Sequence, residues 1–204
     1  MREMGGIEFS SIPLMGCGGY VHGQEVLMAT YTIDNAHSEI SFTVRHMMFA
    51  KVRGQFKTWN ATFAYDADDP SKSAVGVEVD TGSIDTHETP RDTHLRSADF
   101  FDAEKFPKLV FKSKRIAAHG KGAYKLTGDL TIRDVTNEVT LDVEQTGHGK
   151  DPWGNQRLGF SAKATILRSQ WGLKWNQALE AGGVLVSDKV DIDVEVQIVE
   201  QRAA

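Results

Sequence analysis

From about residue 30 onward, apolar and polar residues alternate with a period of two. In "SEISFTVRH" (38–46), Ile40, Phe42 and Val44 stand against Ser41, Thr43 and Arg45. In "SAVGVEVD" (73–80) the apolar set is Val75, Val77 and Val79, and in "EVTLDVE" (138–144) it is Val139, Leu141 and Val143. The longest run, "KVDIDVEVQIVE" (189–200), sets Val190, Ile192, Val194, Val196 and Ile198 against Asp191, Asp193, Glu195 and Gln197. Successive side chains of a strand point to opposite faces, so this pattern predicts strands with one dry and one wet face, the habit of antiparallel sheets. Further strands are predicted at 51–65, 108–116, 122–133 and 157–168, making about eight. Turn residues fill the gaps at "DADDP" (66–70), "AAHGKG" (117–122) and "GHGKDPWGN" (147–155).

Eight antiparallel strands make either a sandwich or a closed barrel. Sandwich strands average about five to six residues, and several runs here reach ten or more, which favours tall strands tilted around an axis. The predicted fold is therefore all-β, an extended eight-stranded antiparallel barrel. Its inward face carries Phe, Val, Ile and Leu, with small residues at Gly128, Ala162 and Ala164. A cavity there suits a greasy molecule, and a solid core satisfies the same pattern.

Alternation stops at 87–107, "HETPRDTHLRSADFFDAEKFP". Thr89 as N-cap, Pro90 at the first helical position and Asp92 three residues after Thr89 predict a helix start. Leu95, Ala98 and Phe101 then recur every third residue, predicting a short helix at about 90–100 with one apolar face, laid on the β body within a long connection. A further helical turn is predicted within 168–176.

A chain of 204 residues suits one domain, or one domain with a tail. The net charge of −5 argues against a nucleic-acid partner. No apolar run approaches the roughly 20 residues needed to span a bilayer as a helix. Residues 1–28 are glycine-rich and aperiodic and read as a tail or a misassigned start, Met28 being an alternative first residue, with a single domain at 29–200. "LMGC" (14–17) resembles a lipoprotein cleavage box that would anchor the chain through Cys17. However, Glu3 and Glu8 and the apolar run broken by Ser10, Ser11 and Pro13 are poor signal-peptide features. The expectation is a cytoplasmic protein, with a periplasmic or lipid-anchored one as the alternative.

"FTVRH…KVRGQF" (42–56), "GSIDT" (82–86), "RDTHLRSADFFDAEKFP" (91–107), "LTGDLTIRDVTNEVTLDV" (126–143) and "RSQWGL" (168–173) occur in one order. That order resembles the YceI-like family, from about residue 30 to 199. The resemblance implies a lipocalin-like barrel with a helix in a long connection, holding a long-chain isoprenoid or other amphiphilic lipid. It supplies no catalytic residues.

The candidate chemistry is sparse. There are seven histidines but no HExxH and no pair at i, i+2 or i, i+4, so no metal site and no cofactor is predicted. Asp66, Asp68 and Asp69 lack the glycine and glutamate of a calcium loop. No GxSxG or phosphate-cradling loop is present, and the single cysteine excludes an internal disulfide. The aromatics are a better lead. Phe42, Phe56, Trp59, Phe63, Phe111, Phe160, Trp171 and Trp175 lie on or beside predicted strands. Phe56 and Trp59, three apart, cannot share a face of one regular strand unless a bulge lies between them.

The reading is a non-enzymatic protein that binds, sequesters or transports a long-chain apolar lipid (a polyisoprenoid, quinone-like molecule or fatty amide). Phe42, Val44, Phe56, Trp59, Phe63, Phe111, Phe160, Ala162 and Trp171 are the candidate wall, and Arg45, His46, Arg91, His94 and Arg96 the candidate mouth. Two alternatives stay open: a small hydrolase or isomerase using His87, Asp92, His94 and Asp99, and a ligand-free interaction module. A homodimer is compatible with any of these.

Overall fold

The computed structural model describes residues 30–66, 69–180 and 182–201. The tail, Cys17, Met28 and part of the 66–70 turn lie outside them. Eleven strands form one antiparallel sheet: β1 (Thr30–Ile33), β2 (Glu39–His46), β3 (Ala50–Phe56), β4 (Trp59–Ala64), β5 (Ala74–Asp80), β6 (Ile84–Asp85), β7 (Lys108–Ala118), β8 (Ala123–Ile132), β9 (Val135–Lys150), β10 (Gln156–Leu167) and β11 (Val186–Gln201). They trace an eight-membered circuit, because three members are each broken once. β1 and β2 pair in turn with opposite ends of β11, Ile33 facing Ile198 and Glu39 facing Glu195. β3 pairs with β2, and β4 pairs with β5. The contact of Thr30 with Ala64 closes the ring.

The breaks have local causes. Asp34 accepts from the Ala36 N–H and caps a single 3-10 turn (Asn35–His37) between β1 and β2. The predicted strand at 51–65 divides at Lys57–Thr58, where both backbone N–H groups leave the ladder and donate to Ser83, to its carbonyl and its Oγ respectively. Phe56 and Trp59 therefore belong to different strands, and the bend resolves their three-residue spacing. Between β5 and β6, Asp80 caps another turn by accepting from the Gly82 N–H.

The strands' outward-parity positions carry cross-strand partners, exposed or, at Thr127, buried. Thr165 donates to Asp191 at 2.8 Å, Lys163 pairs with Asp193 at 3.6 Å, and Thr127 and Thr140 share a hydrogen bond. Such pairs fix register, since a slip of one residue would turn every apolar side chain outward. Two glycines admit neighbouring rings. A Cβ at Gly54 would stand 2.5 Å from Phe42 Cζ, and one at Gly128 would stand 2.4 Å from the Lys112 carbonyl and 2.5 Å from Phe111 Cζ.

The helix α1 spans Thr89–Arg96. Its N-cap is Glu88, which accepts from the Arg91 N–H, with Thr89 one position inside. A longer carboxylate does the capping work assigned from sequence to the threonine. Ala98 and Phe101 fall beyond the helix, in turns closed by Phe101 N–H to Leu95 O and Ala103 N–H to Arg96 O. The every-third spacing was thus not one helical face, and tertiary packing supplies the anchor instead. Phe100 is buried, and Phe101 meets Phe56 edge to face at 5.8 Å. The second predicted turn is a 3-10 helix, Arg168–Trp171. Two groups of buried apolar residues sit under these segments. One includes Leu130, Ile132, Ile166, Trp171 and Leu173 and the other is Phe56, Val79 and Ile84; of these only Trp171 and Ile84 stand apart from the barrel's interior.

Candidate functional site

The barrel is hollow. A cavity of about 650 Å³ runs inside it, lined by alternate residues of the long strands. β2 contributes Ile40, Phe42 and Val44, and β10 contributes Phe160, Ala162, Ala164 and Ile166. β11 adds Val190, Ile192, Val194, Val196 and Ile198. The period-two sets read from the sequence are the wall. Phe56, Trp59, Phe63 and Phe111 also line it.

Charged and aromatic-hydroxyl groups gather at the two ends; in the middle the lining includes one hydroxyl, that of Ser41, already donated to the Asp193 carbonyl. At one end Tyr65 and Tyr124 reach the lining, with Tyr65 packed edge-on against Tyr31 and Phe160. Desolvation, helped by Tyr124, Tyr31 and Asp66, pushes the Tyr65 hydroxyl above its ordinary pKa, so it stays neutral.

At the other end, beside α1, the lining includes His46, Thr86, Glu88, Arg91, His94 and Arg168. Arg91 is held by Thr86, its Nε donating to Oγ1 at 2.7 Å and a terminal nitrogen to the carbonyl at 2.8 Å. The Thr86 hydroxyl and N–H in turn donate to the buried Asp92, which fixes the whole group. His94 Nε2 meets Asp99 at 3.0 Å while its ring stands edge-on to Phe100 and Trp175. Arg168 is buried and donates to the carbonyls of Leu173, Val186 and Ser187. Burial lowers its pKa from the ordinary guanidinium value, and the charge of Asp188 opposes that shift.

Three candidates stand elsewhere. Trp171 is packed away from the cavity, 1 % exposed, with Nε1 donating to Leu130 O at 3.0 Å, because the 3-10 turn carries it off the strand's inward face. Arg45 has the outward parity of β2 and is exposed. Arg96 clasps the connection before α1, donating to the carbonyls of Gly82 and Ile84.

Arg168 and Tyr124 belong to the lining but were not among the candidates, and Trp175, one of the aromatic leads, was left out of the candidate wall yet lines the cavity. Parity would have found two of them: Arg168 continues the set 160, 162, 164, 166, and Tyr124 precedes Leu126, Gly128, Leu130 and Ile132 in step. Trp175 lies in a loop where no period applies.

The residues of the hydrolase alternative do not converge. His87 is exposed and its Nδ1 stands 3.5 Å from Asp85, Asp92 is bonded to Thr86, and only His94 and Asp99 meet. Ser97 Oγ donates to the His94 carbonyl, not to a ring nitrogen. Among the described residues, no group of three or more His, Cys, Asp or Glu is placed to hold a metal.

Known proteins share this architecture. A UPF0312 protein of Pseudomonas fluorescens is 36 % identical over 180 residues, covering 87 % of this chain and 90 % of the relative. The crystal structure of BcnA from Burkholderia cenocepacia superposes with a TM-score of 0.71 at 25 % identity, over 81 % of this chain and 98 % of that one. A polyisoprenoid-binding domain from Saccharophagus degradans superposes with a TM-score of 0.60, over 85 % of this chain and 99 % of that one; at 13 % identity it shares the fold alone. The model of the YceI-like domain matches residues 31–198, and the chain belongs to that family.

Proposed function

We propose that this protein is a non-catalytic carrier or sequestering protein for one apolar, chain-like lipid, held inside the barrel. The observation that carries the reading is the long cavity of about 650 Å³ whose middle is lined almost wholly by aliphatic and aromatic side chains. Its volume of about 650 Å³ falls within the roughly 300–1,000 Å³ usual for small-molecule sites. Taking about 30 Å³ per water-sized group, it holds about twenty carbon-sized atoms. At about 0.8 kcal/mol per buried CH₂, such a chain gains about 16 kcal/mol gross. Loss of translational and rotational freedom offsets an estimated 4–15 kcal/mol of that gain. Affinity therefore grows with chain length and needs few polar contacts. The polar ends, with Arg91, His94 and Arg168 at one and Tyr65 and Tyr124 at the other, suit the headgroup of an amphiphile. The fold shared with a polyisoprenoid-binding domain supports an isoprenoid-like chain as the ligand class.

The test is to extract the purified protein with organic solvent and identify released molecules by mass spectrometry. A near-stoichiometric apolar chain molecule is the expected result. A protein that carries none, and takes up no prenol or fatty amide from detergent solution, would overturn the reading.

A further inference from the structure

The β2–β3 hairpin tip is the most apolar exposed turn of the described chain. Met47, Met48 and Phe49 are 39 %, 60 % and 74 % exposed, and Val184 beside them is 38 % exposed. They form one patch: Met47 N–H donates to the Leu185 carbonyl at 2.8 Å, and a Cβ on Gly183 would lie 3.4 Å from Met48 Cγ. Met47 and Met48 also hold φ of 50° and 69°, a region where glycine or asparagine is usual. Two large apolar side chains are thus displayed at a turn that favours small or polar ones. The patch is continuous with the cavity wall, since His46 and Leu185, the neighbours of Met47 and Val184, line the cavity.

Behind the tip the charge is one-sided. From Ile40 to Tyr65 the chain contains Arg45, Lys51, Arg53 and Lys57 and no Asp or Glu, within a protein of net charge −5. Arg45 sits directly opposite Lys51, a like-charge pair that a folded sheet ordinarily avoids. Arg45 feels the charge of Asp191, and Lys57 is paired with Asp85. Lys51 and Arg53 have no ion pair among the described residues. An apolar tip on a cationic stem is the pattern that seats a segment in the headgroup region of an anionic membrane.

We propose that Met47–Phe49 inserts into the surface of an anionic lipid bilayer and holds the α1 end of the cavity against it, so that cargo exchanges without crossing water. The exchange role rests on the carrier reading; the docking itself does not.

The experiment is flotation of the full chain with vesicles of phosphatidylcholine alone or with phosphatidylglycerol added, at low and high salt. Alongside it, uptake of a fluorescent prenol is measured from detergent and from vesicles. The wild type should float with phosphatidylglycerol vesicles and lose that binding as salt rises. The double variant Met48→Ser, Phe49→Ser should bind about 100-fold more weakly, about tenfold per side chain removed from the interface. Lys51→Glu with Arg53→Glu should abolish the preference for the anionic vesicles. Both variants should load from detergent as the wild type does, and more slowly from vesicles. A wild type that does not float, as expected if the patch met a protein instead, or a serine variant that floats equally well, would overturn docking. Absence of uptake by either route in all three proteins would overturn the carrier reading, whatever the flotation result.

Discussion

Ala162 sits midway along β10, facing Val194 of β11 and Val143 of β9, with its methyl on the cavity. Substituting Ala162→Phe places a six-carbon ring in the bore. The ring points into empty volume rather than into packed core, so the barrel should tolerate it at less than the roughly 1–3 kcal/mol of ordinary overpacking. A chain that fills the cavity must withdraw about four to six carbons, which at about 0.8 kcal/mol each removes about 3–5 kcal/mol of binding. At about 1.4 kcal/mol per decade, the loss is about two to three and a half decades in Kd. A chain short enough to lie on one side of position 162 should lose less than about tenfold. The assay is competition by a homologous series of prenols or fatty amides against one fluorescent lipid, with thermal unfolding as the control for folding. Equal loss at every chain length, or none, would refute the single-bore reasoning.

Two further outcomes follow from buried and ion-paired carboxylates. Asp92→Ala leaves the Thr86 N–H and hydroxyl without their acceptor in a buried position and should lower stability by about 2–3 kcal/mol, with Asp92→Asn recovering most of it. Urea midpoints at unchanged m-value would show this, and a shift under about 0.5 kcal/mol would contradict it. The Lys57 ammonium at 2.7 Å and the His87 N–H at 3.0 Å hold Asp85 at about 2, below the ordinary 3.8. A depressed folded pKa gives stability that is complete above the ordinary carboxylate range and is lost as pH falls through about 2. Asp85→Asn should therefore flatten the acid limb below about pH 4 and leave the slope at pH 5–8 unchanged. Identical acid limbs would contradict the pairing.

Strand placement was legible because burial on one face forces a period of two, and Val190 through Ile198 line the interior as that period requires. Three other features were not legible. The break at Lys57–Thr58 depends on Ser83, a partner 25 residues away that no local window contains. The N-cap fell to Glu88, whose carboxylate reaches forward to the Arg91 N–H, although the usual preference for Ser, Thr, Asp or Asn there points to Thr89. Trp171 looked like wall because aromatics near strands usually are, but the turn that removes it from the lining lies in the backbone, not in the composition. Whether the core is solid or hollow was also undecided by alternation, since both bury the same residues. The cavity follows from the circumference of an eight-membered ring and from small side chains such as Ala162 and Ala164 facing inward.

The gathering of charged and aromatic-hydroxyl groups at the cavity's two ends has a kinetic consequence. A chain moving along the middle passes aliphatic and aromatic groups and one hydroxyl, that of Ser41, already donated to the Asp193 carbonyl, so no position between the ends acts as a detent. Escape is then a stepwise withdrawal in which each methylene returned to water adds about 0.8 kcal/mol to the barrier. Residence time should lengthen by a nearly constant factor per carbon, about fourfold, whatever headgroup the cargo carries. The barrel would thus act as a timer set by the length of its guest.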